Sequence, residues 1–154
     1  MADPKREFLL KDLLHAVYWF DESLQNHLEA AGWPRTSRTK SMILINIADG
    51  VIRPIQIAAN LGISRQAVHL ALGELQDEGL VRIEPDPDDR RAKRVCYSDD
   101  PRGIRMRDDA LRSLHRVEEA LKERVGTPSY RELCKALRSG WGQPLMPESD
   151  WARG

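Results

Sequence analysis

The sequence predicts a mainly α-helical fold with one small β-hairpin. Its centre is a winged helix-turn-helix, flanked by long N- and C-terminal helices. Three observations predict this. Residues 54–79 hold two short apolar-faced helices with almost no residues between them. Residues 80–98 read as two short strands around a proline-rich, strongly basic turn. The flanking segments repeat apolar residues at steps of three and four over long stretches.

Over residues 5–31 that repeat is Leu10, Leu13, Leu14, Val17, Phe20, Leu24 and Leu28, one amphipathic helix stopped by Gly32 and Pro34. A second helix is expected over 36–48. Thr36, Ser37 and Thr39 offer N-caps, and Met42, Ile43, Ile45, Ile47 and Ala48 supply apolar content. Asp49-Gly50 is a turn, and Val51-Ile52-Arg53 is expected as a tiny strand beside the hairpin.

Pro54 suits a first helical position, where its missing N–H costs nothing. Ile55, Ile57, Ala58 and Leu61 form the apolar face of this helix, and Gly62 stops it. Ser64 caps the next helix, whose inner face is Ala67, Val68, Ala71, Leu72 and Leu75. Gly79 ends it. Leu80, Val81 and Ile83 form the first strand, and the prolines of Glu84-Pro85-Asp86-Pro87 are expected to prevent its continuation. Arg94–Ser98 is the returning strand. A long helix runs from Pro101 to Val125 with Leu111, Leu114, Val117 and Leu121 on one face. A third begins at Thr127-Pro128, with Tyr130, Leu133, Leu137 and Trp141 expected on its inner side.

The outer face of the second short helix carries the chemistry. Ser64, Arg65, Gln66 and His69 lie in its first turns. Arg and Gln present paired donors and acceptors that match guanine and adenine edges in a major groove. The hairpin adds the densest basic cluster of the chain, Arg90, Arg91, Lys93 and Arg94. Asp89 is expected to orient Arg91 by a charge-assisted hydrogen bond. A solvated helix face and a solubilising turn are the bland readings of each element alone. A basic hairpin directly behind a helix-turn-helix points to double-stranded DNA. Arg38, Lys40 and Arg53 are further candidates for phosphate contacts.

Leu61-Gly62-Ile63-Ser64-Arg65-Gln66-Ala67-Val68, then Gly79-Leu80-Val81, then Asp89-Arg90-Arg91-Ala92-Lys93-Arg94-Val95 resembles the MarR-type transcriptional regulators, especially the SlyA branch. The resemblance is close over the winged helix and rests on layout alone in the flanks. One departure is local. The family usually carries a Leu-Thr pair after the second wing strand and a Gly shortly after. Here Tyr97-Ser98 and then Gly103 stand in those places. The resemblance implies a dimer formed by the terminal helices and an operator bound as a repressor. It also implies an effector, often an aromatic acid, between the dimer helices and the DNA-binding domain. Tyr18, Trp19, Trp33 and Met42 are the candidates to line that cleft.

The flanks support assembly independently. Their apolar faces are longer than a small winged helix can cover, so a homodimer is expected through Leu10, Leu13, Val17, Leu114, Leu121, Leu133, Leu137 and Trp141. A two-fold protein matches a palindromic site. The expected organisation is an N-terminal dimerisation helix (1–34), a DNA-binding domain (35–100) and C-terminal dimerisation helices (101–154), as one structural unit.

The formal net charge is zero, which argues against binding nucleic acid through bulk charge and leaves a local basic face as the means. No apolar run approaches a membrane span and the first residues hold no signal-peptide core, so a cytoplasmic protein without a membrane partner is expected. Phosphate-binding glycine loops, HExxH and GxSxG are absent, and no Cys or His pair has zinc spacing. Neither an enzyme, a metal site nor a cofactor is expected. Cys134 reads as a small core residue and Cys96 as outward-facing on its strand. The alternative reading is a winged helix that serves as a protein-interaction module without operator binding.

Overall fold

In a computed structural model, the described residues are 8–146. They contain helices α1 (Leu9–Ala30), α2 (Arg38–Ala48), α3 (Pro54–Leu61) and α4 (Arg65–Asp77), strands β1 (Val81–Pro85) and β2 (Lys93–Tyr97), and helices α5 (Pro101–Val125) and α6 (Thr127–Arg138). The start of the first predicted helix, at residues 5–7, lies outside the described residues. The chain divides into two compact units, Met1–Val117 and Glu118–Gly154, with α5 passing from one to the other.

In the first unit the helix ends follow local rules. The Ser37 hydroxyl accepts from the Lys40 N–H at 3.3 Å, which places the start of α2 at Arg38 rather than at residue 36. Ser64 caps α4 in the same way, accepting from the Ala67 N–H at 3.0 Å. Between α3 and α4, Gly62 adopts φ 64°, the left-handed conformation that glycine takes without steric cost.

The two strands pair antiparallel, with Val81 opposite Tyr97 and Pro85 opposite Lys93. Glu84 and Pro85 thus do continue β1, contrary to the sequence expectation. A two-stranded sheet consists of edges only, and an exposed proline at a strand end lacks no ladder donor that its partner needs. Residues 51–53 are not a strand. One bond, Val95 N–H to Ile52 carbonyl at 2.8 Å, holds them beside β2.

The core joins Leu24 and Leu28 of α1, Ile43 and Ile47 of α2, Ile57 of α3, Val68, Leu72 and Leu75 of α4, and Val81 and Val95 of the hairpin. Tyr97 occupies the place where the family pattern has leucine. It is half-buried and donates its hydroxyl to the Leu44 carbonyl at 2.7 Å, tying the end of β2 to α2. Ser98 accepts from the Asp100 N–H and Asp100 from the Arg102 N–H, so two side chains, two positions apart, turn the strand into α5. Gly103 is needed there. A Cβ at this position would stand 2.6 Å from the Gly79 carbonyl oxygen.

In the second unit, α6 has no buried residue. Leu133 and Leu137 are 43% and 44% exposed, and Trp141 lies beyond the helix with its indole N–H on the Leu137 carbonyl. On the predicted inner side of α6, Tyr130 is half-buried, while Leu133, Leu137 and Trp141 remain exposed among the described residues. Cys134 is half-buried rather than a core residue, and hydrogen bonding with it, with added burial and the nearby Glu118, pushes the Tyr130 hydroxyl up to about 12.

Candidate nucleic-acid interface

Arg65, Gln66 and His69 leave the N-terminal half of α4 on its exposed side, because Val68, Ala71 and Leu72 hold the opposite side in the core. An open groove runs between this face and the hairpin. It is lined by Arg53, Pro54, Ile55, Arg65, Gln66, His69, Ala92 and Lys93. The two elements that the sequence marked as reading surfaces thus face one space. Arg53 forms part of its floor.

The electrostatics separate the basic residues into two sets. Arg65, Arg90, Arg91 and Lys93 have no side-chain hydrogen bond or ion pair with any other described residue. Others are engaged. Arg94 pairs with Glu84 at 2.5 Å, which, with the Arg82 bond, holds the Glu84 carboxyl below the usual carboxylate range. Arg38 donates to Asp21 at 3.0 Å and stacks on the Tyr18 ring. Lys40 bridges Glu74 and Glu78 at 2.8 and 2.7 Å, with its side chain only 14% exposed. Burial alone lowers the Lys40 ammonium pKa, but the two glutamate bonds outweigh it and leave the group above its ordinary value. Arg38 and Lys40 therefore serve α1 and α4 rather than a free phosphate site. The sequence could not show this, because their partners lie 17 to 38 positions away.

Asp89 behaves differently from expectation. Its carboxylate accepts from the backbone N–H of Arg91 at 3.0 Å, not from the guanidinium. An aspartate two residues upstream is within easy reach of a backbone amide, so the local turn wins. The hairpin tip is instead organised by Asp86, which sequence reading passed over. Its side chain is 3% exposed, and it accepts from Arg53 Nε at 2.8 Å and from the Asp88 N–H at 2.9 Å. The Asp88 bond is the main cause holding this carboxyl below its usual range, and Arg53 adds to it.

The residues expected to line an effector cleft lie apart from an apolar cavity of the first unit. Trp33 is buried, donates to Asp109 at 2.8 Å and lies under Arg102 and Arg105. Trp19 meets Phe20 edge-on, and Tyr18 carries Arg38. None of these, nor Met42, lines that cavity. That cavity, of about 90 Å³, lies among α1, α2, β2 and α5. Leu24, Leu28, Leu44, Met106 and Leu114 form apolar walls, and Gln25, Thr36, Ser41 and Arg107 supply polar atoms.

The helix pair, the hairpin and the groove between them define a winged helix-turn-helix protein. The MarR family model matches residues 36–92, the segment that holds α2, the helix-turn-helix and most of the hairpin. Solved structures agree over nearly the whole chain. The transcriptional regulator PA4135 is 20% identical, with 86% of this chain and 94% of that one covered at a TM-score of 0.68. The transcriptional repressor CouR, bound to a 23-mer DNA duplex, is 25% identical, with coverage of 85% and 90% and a TM-score of 0.61. A cysteine-to-serine variant of MarR from E. coli, complexed with operator DNA, is 20% identical, with coverage of 89% and 99% and a TM-score of 0.59. No curated protein sequence matches the chain. Among the described residues no helix is long and apolar enough to cross a membrane.

Proposed function

We propose that this protein is a DNA-binding transcriptional regulator, acting as a homodimeric repressor on a palindromic operator. The observation that carries the reading is the set of uncompensated cations on α4 and the hairpin, of which Arg65 and Lys93 line one groove. Arg65 stands at the N-terminus of α4, Arg90, Arg91 and Lys93 on the hairpin, while neighbouring Arg38, Lys40 and Arg94 are neutralised by acids. Unpaired cations flanking a helix of groove-filling size release counterions from a duplex, and Gln66 with Arg65 supplies base-edge readout. The winged-helix relatives solved on DNA support the same reading.

Arg91 enters the flanking minor groove, with its backbone fixed by Asp89, while Arg90 and Lys93 meet phosphates. Leu10, Leu13, Val17, Leu114, Leu121, Leu133, Leu137 and Trp141 close the dimer, which explains why Leu10 and Trp141 stand 78% and 63% exposed in one chain. The cavity beside Tyr97 receives the effector. Its walls take an apolar body, and Arg107, Gln25 and Ser41 take one polar or anionic group. Like the regulators it resembles, the protein is not an enzyme.

Selection of bound sequences from a random duplex library with purified protein tests this reading. The expected result is a two-fold symmetric motif with A·T-rich flanks. Absence of any enriched sequence would refute it.

A further inference from the structure

A buried carboxylate beneath a DNA-facing groove calls for explanation, because negative charge there opposes a phosphate backbone. Asp86 is such a group. It lies just after β1, fully engaged, with Arg53 Nε on one oxygen and the Asp88 N–H on the other. Its partner Arg53 sits at the start of α3, in a segment also tied to β2 through the Ile52 carbonyl. The Arg53 side chain is 40% exposed and lines the groove together with Arg65, Gln66 and His69. Only its Nε is used; both Nη groups lack a partner among the described residues.

A guanidinium is a rigid planar fork. Fixing Nε on a buried carboxylate fixes the direction of both Nη groups. We infer that Asp86 is a positioning residue for DNA recognition: it clamps Arg53 so that the two Nη groups present a preorganised phosphate contact on the groove floor. The pair is neutral as a whole, so its value lies in geometry rather than in added charge. The clamp also joins the hairpin to the start of α3, whose Pro54 and Ile55 line the same groove.

This inference rests on the DNA-binding reading, and the experiment separates the two. Asp86→Asn is the informative variant. Its amide oxygen still accepts from the Asp88 N–H, so the turn is kept, while the charged clamp on Arg53 is lost. It also removes a negative charge from the DNA face. Electrostatics alone therefore predict tighter binding, and positioning predicts weaker binding. We expect Asp86→Asn to weaken binding to a library-selected duplex. Arg53→Ala should also weaken it and reduce the magnitude of the salt slope by about one. In the Arg53→Ala background, Asp86→Asn should produce no further loss, whereas with Arg91→Ala its effect should add in full. Wild-type or tighter affinity for Asp86→Asn would overturn the inference. So would a loss that persists in the Arg53→Ala background, or sub-additivity with Arg91→Ala, which would mark collapse of the hairpin. Absence of salt-sensitive duplex binding by the wild-type protein would overturn the DNA-binding reading itself, and the clamp with it.

Discussion

The winged helix and helix α6 carry apolar residues at similar helical spacing but treat them in opposite ways. Ile57, Val68, Leu72, Leu75 and Val95 are at most 1% exposed. Leu133 and Leu137 of α6, and Trp141 just after it, stand between 43% and 63% exposed. The first region completes its core within one chain, so its outer polar face is free to be a reading surface. The second leaves an apolar face exposed among the described residues, which is the condition of a subunit interface. Amphipathic periodicity thus says that a face is to be covered, not by what.

Placing charge on the apolar face of α6 is the sharpest way to break this contrast. Leu133→Asp with Leu137→Asp should leave the helical circular dichroism of the chain nearly unchanged and convert a dimer to a monomer by light scattering. Operator affinity should fall with it. A full-length wild-type protein that is monomeric at micromolar concentration would remove the interface reading. Leu72→Ala strikes the other region. A buried leucine lost from a packed core costs about 2–5 kcal/mol, so thermal unfolding should move down strongly.

Smaller effects sharpen the comparison at the junction with α5. Gly103→Ala forces a methyl against the Gly79 carbonyl and the Ser98 side chain, and overpacking of this kind costs about 1–3 kcal/mol. Chemical denaturation should report the loss as a lower midpoint. Tyr97→Phe removes only the bond to the Leu44 carbonyl, worth about 0.5–1.5 kcal/mol. Acid should act on the first unit in a defined direction. The carboxyls of Asp86, Glu84, Asp99 and Asp109 are all held below their usual range by hydrogen bonds. A depressed folded pKa contributes stability that is present above the ordinary carboxyl pKa and is lost as pH falls through the folded value. Stability should therefore decline from about pH 4 downward, and Asp109→Asn should flatten that decline.

Much of the winged helix was legible because its rules are local. Pro54, Gly62 and Ser64 set helix ends through neighbours at most five residues away, and Val68 and Leu72 face inward by spacing alone. What was missed depends on contacts between distant segments. Arg53 meets Asp86, Lys40 meets Glu78 and Trp33 meets Asp109 across 33, 38 and 76 positions. Nothing in composition or periodicity announces such pairs, so Arg38 and Lys40 looked like free cations and the aromatic residues like cleft walls. The Asp89 and Arg91 pair shows a subtler failure. The partners were right, but the carboxylate chose the backbone amide over the side chain.

The basic residues fall into two sets, one unpaired on α4 and the hairpin and one held by acids, with Arg53 alone both paired with an acid and lining the groove. The direct measurement is the salt dependence of operator binding for variants of each set. Arg65→Ala, Arg90→Ala, Arg91→Ala and Lys93→Ala should each reduce the magnitude of the slope by about one. Arg35→Ala, whose guanidinium is held by Glu22, Glu29 and Asn26, should leave the slope at its wild-type value. Equal slopes for both sets, or a wild-type protein whose duplex binding ignores salt, would contradict the account.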